Sequence, residues 1–238
     1  MFQSRVAGSS QVDRTGLAFW KLALHKSRMS DIILHDYWRS SASYRVRIVL
    51  NLKKIEYRLR SVNLLEGEQR GKDYLSTNPQ GRVPTLTVDG EDIIQSLAII
   101  DYLDATYPDP PMVSSDPVER AATLAQALIV ATDIHPINNI SIGNYLKSEF
   151  GADGKAVIQW MQHWMTTGFA ALEKLAPDTG LFGGDTPNLA DVCLVPQMYN
   201  ARRFETDLTA FPKLVRIDAG CNALEAFEKA TPEAVKEN

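Results

Sequence analysis

Tyr37-Trp38-Arg39-Ser40-Ser41-Ala42-Ser43-Tyr44-Arg45-Val46-Arg47 is the stretch whose reading decides the fold. The apolar run before it, Ile32-Ile33-Leu34, reads as a buried strand. The run after it, Val46 to Leu52, places its apolar residues at helical spacing rather than in strict alternation. The stretch is therefore a strand-to-helix junction with serines at 40, 41 and 43. Serine at such a junction is ordinary N-cap chemistry. The same position also suits an anion, because the first turn of a helix presents free N–H groups and a partial positive charge. A hydroxyl there can donate to a thiolate, and Arg39, Arg45 and Arg47 add positive charge to the neighbourhood. Both readings stay open on these residues alone.

Working outward, the junction is followed by Tyr57-Arg58-Leu59-Arg60-Ser61-Val62, which alternates as a strand does. Residues 63–80 are polar, contain Gly67 and Gly71, and read as a loop with a short helical piece. Thr85-Leu86-Thr87-Val88, a turn at Asp89-Gly90, and Asp92-Ile93-Ile94 make a hairpin. Ser96 opens a helix that ends near Tyr107-Pro108. Strand, helix, strand, hairpin, helix is the element order of a thioredoxin-like domain, here spanning about 30–107, with Arg39-Ser40-Ser41-Ala42 in place of a Cys-x-x-Cys. Three prolines within residues 108–111 stop the helix, and 108–117 reads as a linker. Beyond it, residues 118–232 read as all-helical. Pro117 suits a first helical turn, and residues 155–175 carry apolar positions at helical spacing. Gly183-Gly184-Asp185-Thr186-Pro187-Asn188-Leu189-Ala190-Asp191 reads as a helix start, with Asn188 as cap and Asp191 reaching back to it, a structural role. Pro196 falls inside that helix.

A chain of 238 residues with 45% hydrophobic and 23% charged residues is long enough to bury a sizeable core. Its net charge of −4 argues against a nucleic-acid partner. No apolar run reaches membrane-spanning length. Cys193 and Cys221 form no metal-ligand spacing and read as free thiols of a reducing cytoplasm. Four scattered histidines suggest no metal site. Residues 1–29 differ from the rest: Arg5, Arg14, Lys21, Lys26 and Arg28 face one acid, Asp13, a balance of +4 that leaves −8 for the remainder. This end reads either as a targeting presequence or as an extension upstream of a true start at Met29. It is expected to take no part in the fold or the chemistry.

Three segments in combination, residues 37–47, Asn78-Pro79-Gln80-Gly81-Arg82-Val83-Pro84-Thr85-Leu86 and Gln95-Ser96-Leu97-Ala98-Ile99-Ile100-Asp101-Tyr102-Leu103, resemble the zeta class of glutathione transferases. The resemblance covers about residues 30–232. It implies a two-domain fold, thioredoxin-like then all-helical, with the active site in the cleft between the domains, and a two-fold homodimer. The implied activity is cis–trans isomerisation of maleylacetoacetate, or of the shorter maleylpyruvate, with glutathione as cofactor. A general glutathione transferase or a non-catalytic glutathione-binding module of the same fold is the remaining alternative.

The resemblance also implies roles for residues. Ser40 would hold the glutathione thiolate, with Ser41 in reserve. Ser40, Ser41, Ala42, Ser43, Tyr44 and Arg45 would surround glutathione. Many members carry cysteine where this chain has Ala42, so the protein's own thiol is not the expected nucleophile. A cis Val83-Pro84 bond would free the valine's backbone groups to pair with the cysteinyl part. Gln95 and Ser96 would take the glutamyl carboxylate, and Gln69 would add a further contact. From the helical half, His135, Asn139, Ile140 and Ser141 would reach glutathione. Arg39, Arg45 and Arg203 would hold the dicarboxylate substrate, since guanidinium pairs with carboxylate through two hydrogen bonds. Arg202 is expected to be solvated or paired with an acid.

Overall fold

The computed structural model describes residues 31–236; the basic segment 1–29, and the two readings of it, lie outside the described residues. Strand β1 (Ile32–Asp36) runs into helix α1 (Ser41–Leu52) through the serine junction. Then come β2 (Arg58–Ser61), a 3-10 turn (Glu68–Arg70), α2 (Lys72–Thr77), β3 (Thr85–Val88), β4 (Glu91–Ile94) and α3 (Ser96–Thr106). The four strands form one sheet in the order β2-β1-β3-β4, with β1 parallel to β2 and antiparallel to β3. The register sets Leu34 beside both Leu59 and Leu86, and Leu86 beside Ile93. Leu34 and Leu86 are fully buried, together with Ile48, Val49 and Leu50 of α1 and Ile99 and Leu103 of α3. This element order is the one read from the sequence.

Past the linker every element is helical: α4 (Pro117–Leu128), α5 (Ile140–Phe150), α6 (Gly154–Leu175), α7 (Leu189–Arg203), α8 (Pro212–Asn222) and the short α9 (Glu225–Glu228) and α10 (Pro232–Val235). Pro117 takes the first turn of α4, and Asp116 caps it. Helical character continues after residue 128, but not as one α-helix. Ile129–Ile134 widens into a π turn, and a 3-10 turn at Pro136–Asn138 precedes α5. The widening accommodates Ile134, whose side chain fills the space above Gly168 of α6. A methyl group at Gly168 would collide with it.

Helix α7 is the hub. Residues Leu189 to Met198 are all buried, Asp191 and Gln197 included, so the helix is covered on every face. Its start is built as expected: Asn188 Oδ1 accepts from the N–H groups of Ala190 and Asp191, and the Asp191 carboxylate accepts from Asn188 at 2.9 Å. The same carboxylate also accepts from the N–H groups of Phe182 and Gly183, so it anchors the preceding loop as well.

Two buried cations from α1 bind the sheet to the helices. Arg47 donates to Asp36 at 2.6 Å, to the Trp38 carbonyl and to the Ala230 carbonyl. Lys53 donates to Asp104 and to the Tyr107 and Pro110 carbonyls, fixing the linker against α1 and α3. Arg202 pairs with Asp218 at 2.6 Å, in line with its expected non-catalytic role.

Candidate active site

Ser40 is the N-cap of α1. Its Oγ accepts from the Ser43 N–H at 3.2 Å, which leaves its own hydroxyl hydrogen free to donate. The residue is half-buried, whereas Ser41 is buried and accepts from Asn200 of α7 at 3.1 Å. The N–H groups of the first turn have no intrahelical partners. The cap and the anion site are thus one structure: capping the helix presents the hydroxyl and the free N–H groups on one side.

Ser43, Tyr44 and Arg45 depart from expectation. All three are sealed in the interior, at 0%, 2% and 2% exposure, so they offer no surface to a ligand. The reason is the helical period: from residue 43 onward α1 lies between the sheet and α7. The Ser43 hydroxyl lies against the Asp36 carboxylate. The Tyr44 ring meets Tyr199 edge-on at 6.4 Å. Arg45 was expected beside Arg39 on the dicarboxylate; it lies instead behind Ser96, donating to the Ser96 Oγ at 3.4 Å. Ser40, Ser41 and Ala42 remain as the turn that can face glutathione.

Val83-Pro84 is cis and leads into β3. The turn before it is held by Asn78 and Tyr74, both of which donate to the Arg82 carbonyl. Gly81 has φ +60° and sits so close to the Gln69 carbonyl that a side chain would not fit. That contact brings the Gln69 turn against the cis-proline loop. The Gln69 Oε1 is shielded there without a partner. Gln95, which precedes α3, has φ +71° and donates to Gln80 at 2.6 Å. Ser96 is the first residue of α3, whose leading N–H groups have no intrahelical partner, and it is buried. Two helix starts and their serines therefore supply donors suited to a thiolate at one end and a carboxylate at the other.

From the helical half, His135 closes the π turn. Burial, then the charges of Arg45 and Arg82, push its imidazole down to about 3, so it is neutral through the ordinary pH range. His135 thus feels the charge of Arg45, the residue that donates to Ser96. Asn139 instead caps α5: its Oδ1 accepts from Ser141 N, Ile142 N and the Ser141 hydroxyl, and its Nδ2 donates to the Pro136 carbonyl. Ile140 is exposed. The structure gives Asn139 and Ser141 a local capping role and shows no bond from them, or from Ile140, to the serine junction.

Arg39 and Arg203 come from opposite halves of the chain, and each feels the other's charge. Burial, then the charge of Arg39, pulls Arg203 below the usual guanidinium range. Arg39 stacks on Trp38 at 5.0 Å and Arg203 on Phe204 at 4.8 Å. Tyr199 feels both arginines; burial and Glu233, which accepts its hydroxyl at 2.7 Å, push it up to about 12. Tyr199 was missed in the sequence, yet it stands four residues before Arg203 and so shares its face of α7. Asn200 was missed too. Its link to Ser41 joins positions 159 residues apart, which no local pattern reports. Two like charges that act on each other, with no ion pair to either among the described residues, suit a doubly negative ligand.

A cavity of about 390 Å³ opens beside this cleft, between the 37–39 loop, the end of β2 and Val235-Lys236. It touches Arg39 but none of Ser40, Ser96 and Arg203, so it is a neighbour of the site. Cys193 and Cys221 are buried free thiols, both pushed up by burial. Among the described residues no three metal-binding side chains gather, and no helix is long and apolar enough to cross a membrane.

The family model for the glutathione S-transferase N-terminal domain matches residues 34–111. Maleylacetoacetate isomerase from Pseudomonas aeruginosa is 49% identical over 202 residues, 84% of this chain and 95% of that protein. Among solved structures, a holo maleylpyruvate isomerase, described as a bacterial zeta-class glutathione transferase, superposes with a TM-score of 0.84 at 43% identity. The alignment covers 87% of this chain and 99% of that one. A maleylacetoacetate isomerase from Methylobacterium extorquens, with malonate and glutathione bound, reaches 0.83 at 33% identity over 86% and 98% of the chains.

Proposed function

This chain belongs to the zeta class of glutathione transferases, the family of the maleylacetoacetate isomerases, and from that premise we propose that it converts maleylacetoacetate to fumarylacetoacetate with glutathione as cofactor. What supports the substrate class is that Arg39 and Arg203, from the two halves of the chain, act on each other electrostatically. Each guanidinium can hold one carboxylate of a cis dicarboxylate. Glutathione, when bound, supplies the thiol that adds reversibly to the activated double bond and so permits rotation about it.

The chain's own residues do the rest. Ser40 donates its free hydroxyl hydrogen to the sulfur, and the first turn of α1 adds its N–H groups. Keeping a thiol two units below its ordinary pKa requires about 2.7 kcal/mol of preference for the anion. A hydroxyl donor and a helix N-terminus together supply that order of energy. Ser96 and the start of α3 take the glutamyl carboxylate, and the backbone at Val83 pairs with the cysteinyl part. Gln69 and Gln95 line the same groove, with neutral His135 above it. Asn139, Ile140 and Ser141, at the capped start of α5, would meet glutathione from the helical half.

The enzyme works as a two-fold homodimer in the cytoplasm, in the breakdown of tyrosine and phenylalanine. The family resemblance supports the dimer and the pathway, and two free thiols suit a reducing compartment. A monomer by light scattering at micromolar concentration would overturn the dimer.

Maleylpyruvate is the second substrate to test, because a relative of 0.84 TM-score is named for it. The deciding experiment measures turnover of maleylacetoacetate and maleylpyruvate side by side, with and without glutathione. Glutathione-dependent turnover that is faster on maleylacetoacetate is the expected result. Faster turnover of maleylpyruvate reassigns the substrate, and no turnover of either defeats the proposal.

A further inference from the structure

Arg45 is a charge folded into the protein with no acid paired to it among the described residues. It lies in α1 one turn past Ser41 and is 2% exposed. Its Nη1 donates to the Ser96 Oγ, while Nε and Nη2 find no acceptor. The one ionisable neighbour that would favour its charge is the Cys193 thiol, which burial keeps neutral. Arg47, two residues on, shows the contrast: equally buried, it has the Asp36 carboxylate and two carbonyls. An uncompensated buried cation is costly, and removing water from around it strengthens its pull on any anion that arrives.

One place beside Arg45 can receive such an anion. Its single hydrogen bond ends on Ser96, the first residue of an eleven-residue helix whose leading N–H groups are free. By donating to the Ser96 oxygen, Arg45 occupies an acceptor site of that hydroxyl and leaves the hydroxyl hydrogen to be donated outward. His135, the other ionisable group at this corner, is neutral and Arg82 is positive, so neither cancels the charge.

We propose that Arg45 is the buried counter-charge for the glutamyl α-carboxylate of glutathione, acting through the Ser96 hydroxyl, and that it makes that carboxylate a requirement for binding. The proposal rests on the reading that Ser96 receives the glutamyl carboxylate. It gives Arg45 a positioning role in place of the substrate contact its sequence position suggested. The ligand completes an ion pair that the folded chain leaves half-made.

The test uses the full-length protein, Arg45→Met, Arg45→Lys, and two ligands: glutathione and 4-aminobutanoyl-cysteinyl-glycine, which lacks only the glutamyl α-carboxylate. Dissociation constants come from calorimetry, KM and kcat from turnover, and melting temperatures from the ligand-free proteins. Wild type should bind the analogue about tenfold or more weakly than glutathione, as expected for a lost charge-assisted bond. Arg45→Met should bind the two alike, with KM for glutathione raised by about the same factor and kcat at saturation little changed. Its ligand-free melting temperature should equal or exceed that of wild type, because an unpaired charge has been removed. Arg45→Lys should recover part of the preference for glutathione. A merely structural arginine would instead lower the ligand-free melting temperature and leave the preference intact, and that result overturns the proposal. If wild type itself fails to discriminate, the Ser96 reading falls and the Arg45 role falls with it. If wild type discriminates and Arg45→Met discriminates equally, the Arg45 role alone falls.

Discussion

Ser40 and Ser41 differ in what their oxygens already do. Ser40 accepts a backbone N–H, remains half open and keeps its hydrogen free; Ser41 is buried and held by Asn200. Ser40→Ala should therefore cut kcat far more than Ser41→Ala and raise the apparent pKa of bound glutathione, read from the thiolate absorbance. A crippled Ser41→Ala beside an active Ser40→Ala would move the donor to Ser41. Arg203→Ala should raise KM for the dicarboxylate by a factor corresponding to about 1.5–3 kcal/mol and leave glutathione affinity nearly intact. Equal weakening of both ligands would show Arg203 to be misplaced. The serines were legible in the sequence because N-cap chemistry and anion chemistry use the same atoms at the same junction. The fate of the arginines was not legible. Arg39, Arg45 and Arg47 stand within nine residues, yet one faces the cleft, one is buried unpaired and one is buried in an ion pair. Which is which depends on α7, β1 and α3, not on neighbours in the chain.

At the scale of elements, strands and helices followed from apolar period and turn residues, because each of them buries one face. The start of α7 was equally readable, and its Asp191 can be tested directly. Removing that carboxylate strands the N–H groups of Phe182, Gly183 and Asn188. Asp191→Ala should destabilise the protein by about 3 kcal/mol or more, seen in the urea midpoint, without a comparable change in KM. A loss within about 0.5 kcal/mol would show that water replaces the carboxylate there. The π turn at Ile129–Ile134 was not readable. One extra residue per turn leaves no mark in composition, and its cause, the fit of Ile134 over Gly168, joins two helices. That turn holds His135, whose folded pKa of about 3 lies below the ordinary value of 6.5. Between these values the unfolded chain binds a proton and the folded one does not, so stability falls as pH drops through 6.5 towards 3. The slope from this group is at most about 1.4 kcal/mol per pH unit. His135→Gln should flatten acid unfolding in that window. An unchanged acid profile would mean that His135 is protonated in the folded state.

Across the whole molecule, the sheet half and the helical half are joined by contacts made largely through α1. Ser41 meets Asn200, Tyr44 meets Tyr199, Arg47 holds the Ala230 carbonyl and Asn51 holds the Ala226 carbonyl. Lys53 secures the start of the linker, and the Leu189 N–H donates to the Met112 carbonyl, so the first half of the linker is fixed to both halves of the molecule. Arg39 and Arg203 belong to different halves, so a site that uses both would require that joint. An apolar core shared by both halves, from Leu34 and Ile48 to Val195 and Leu214, makes separate unfolding expose apolar surface in each half. The two halves should therefore unfold together. Trp38 reports on the sheet side of the cleft, while Trp160 and Trp164 lie against each other in α6. In urea, the fluorescence of Trp20→Phe/Trp160→Phe/Trp164→Phe, which keeps Trp38, and that of Trp20→Phe/Trp38→Phe, which keeps Trp160 and Trp164, should each change at the midpoint that circular dichroism gives for the same variant. If the Trp38 signal is lost well before helicity, the halves unfold in sequence, and the joint through α1 contributes less than its buried bonds imply.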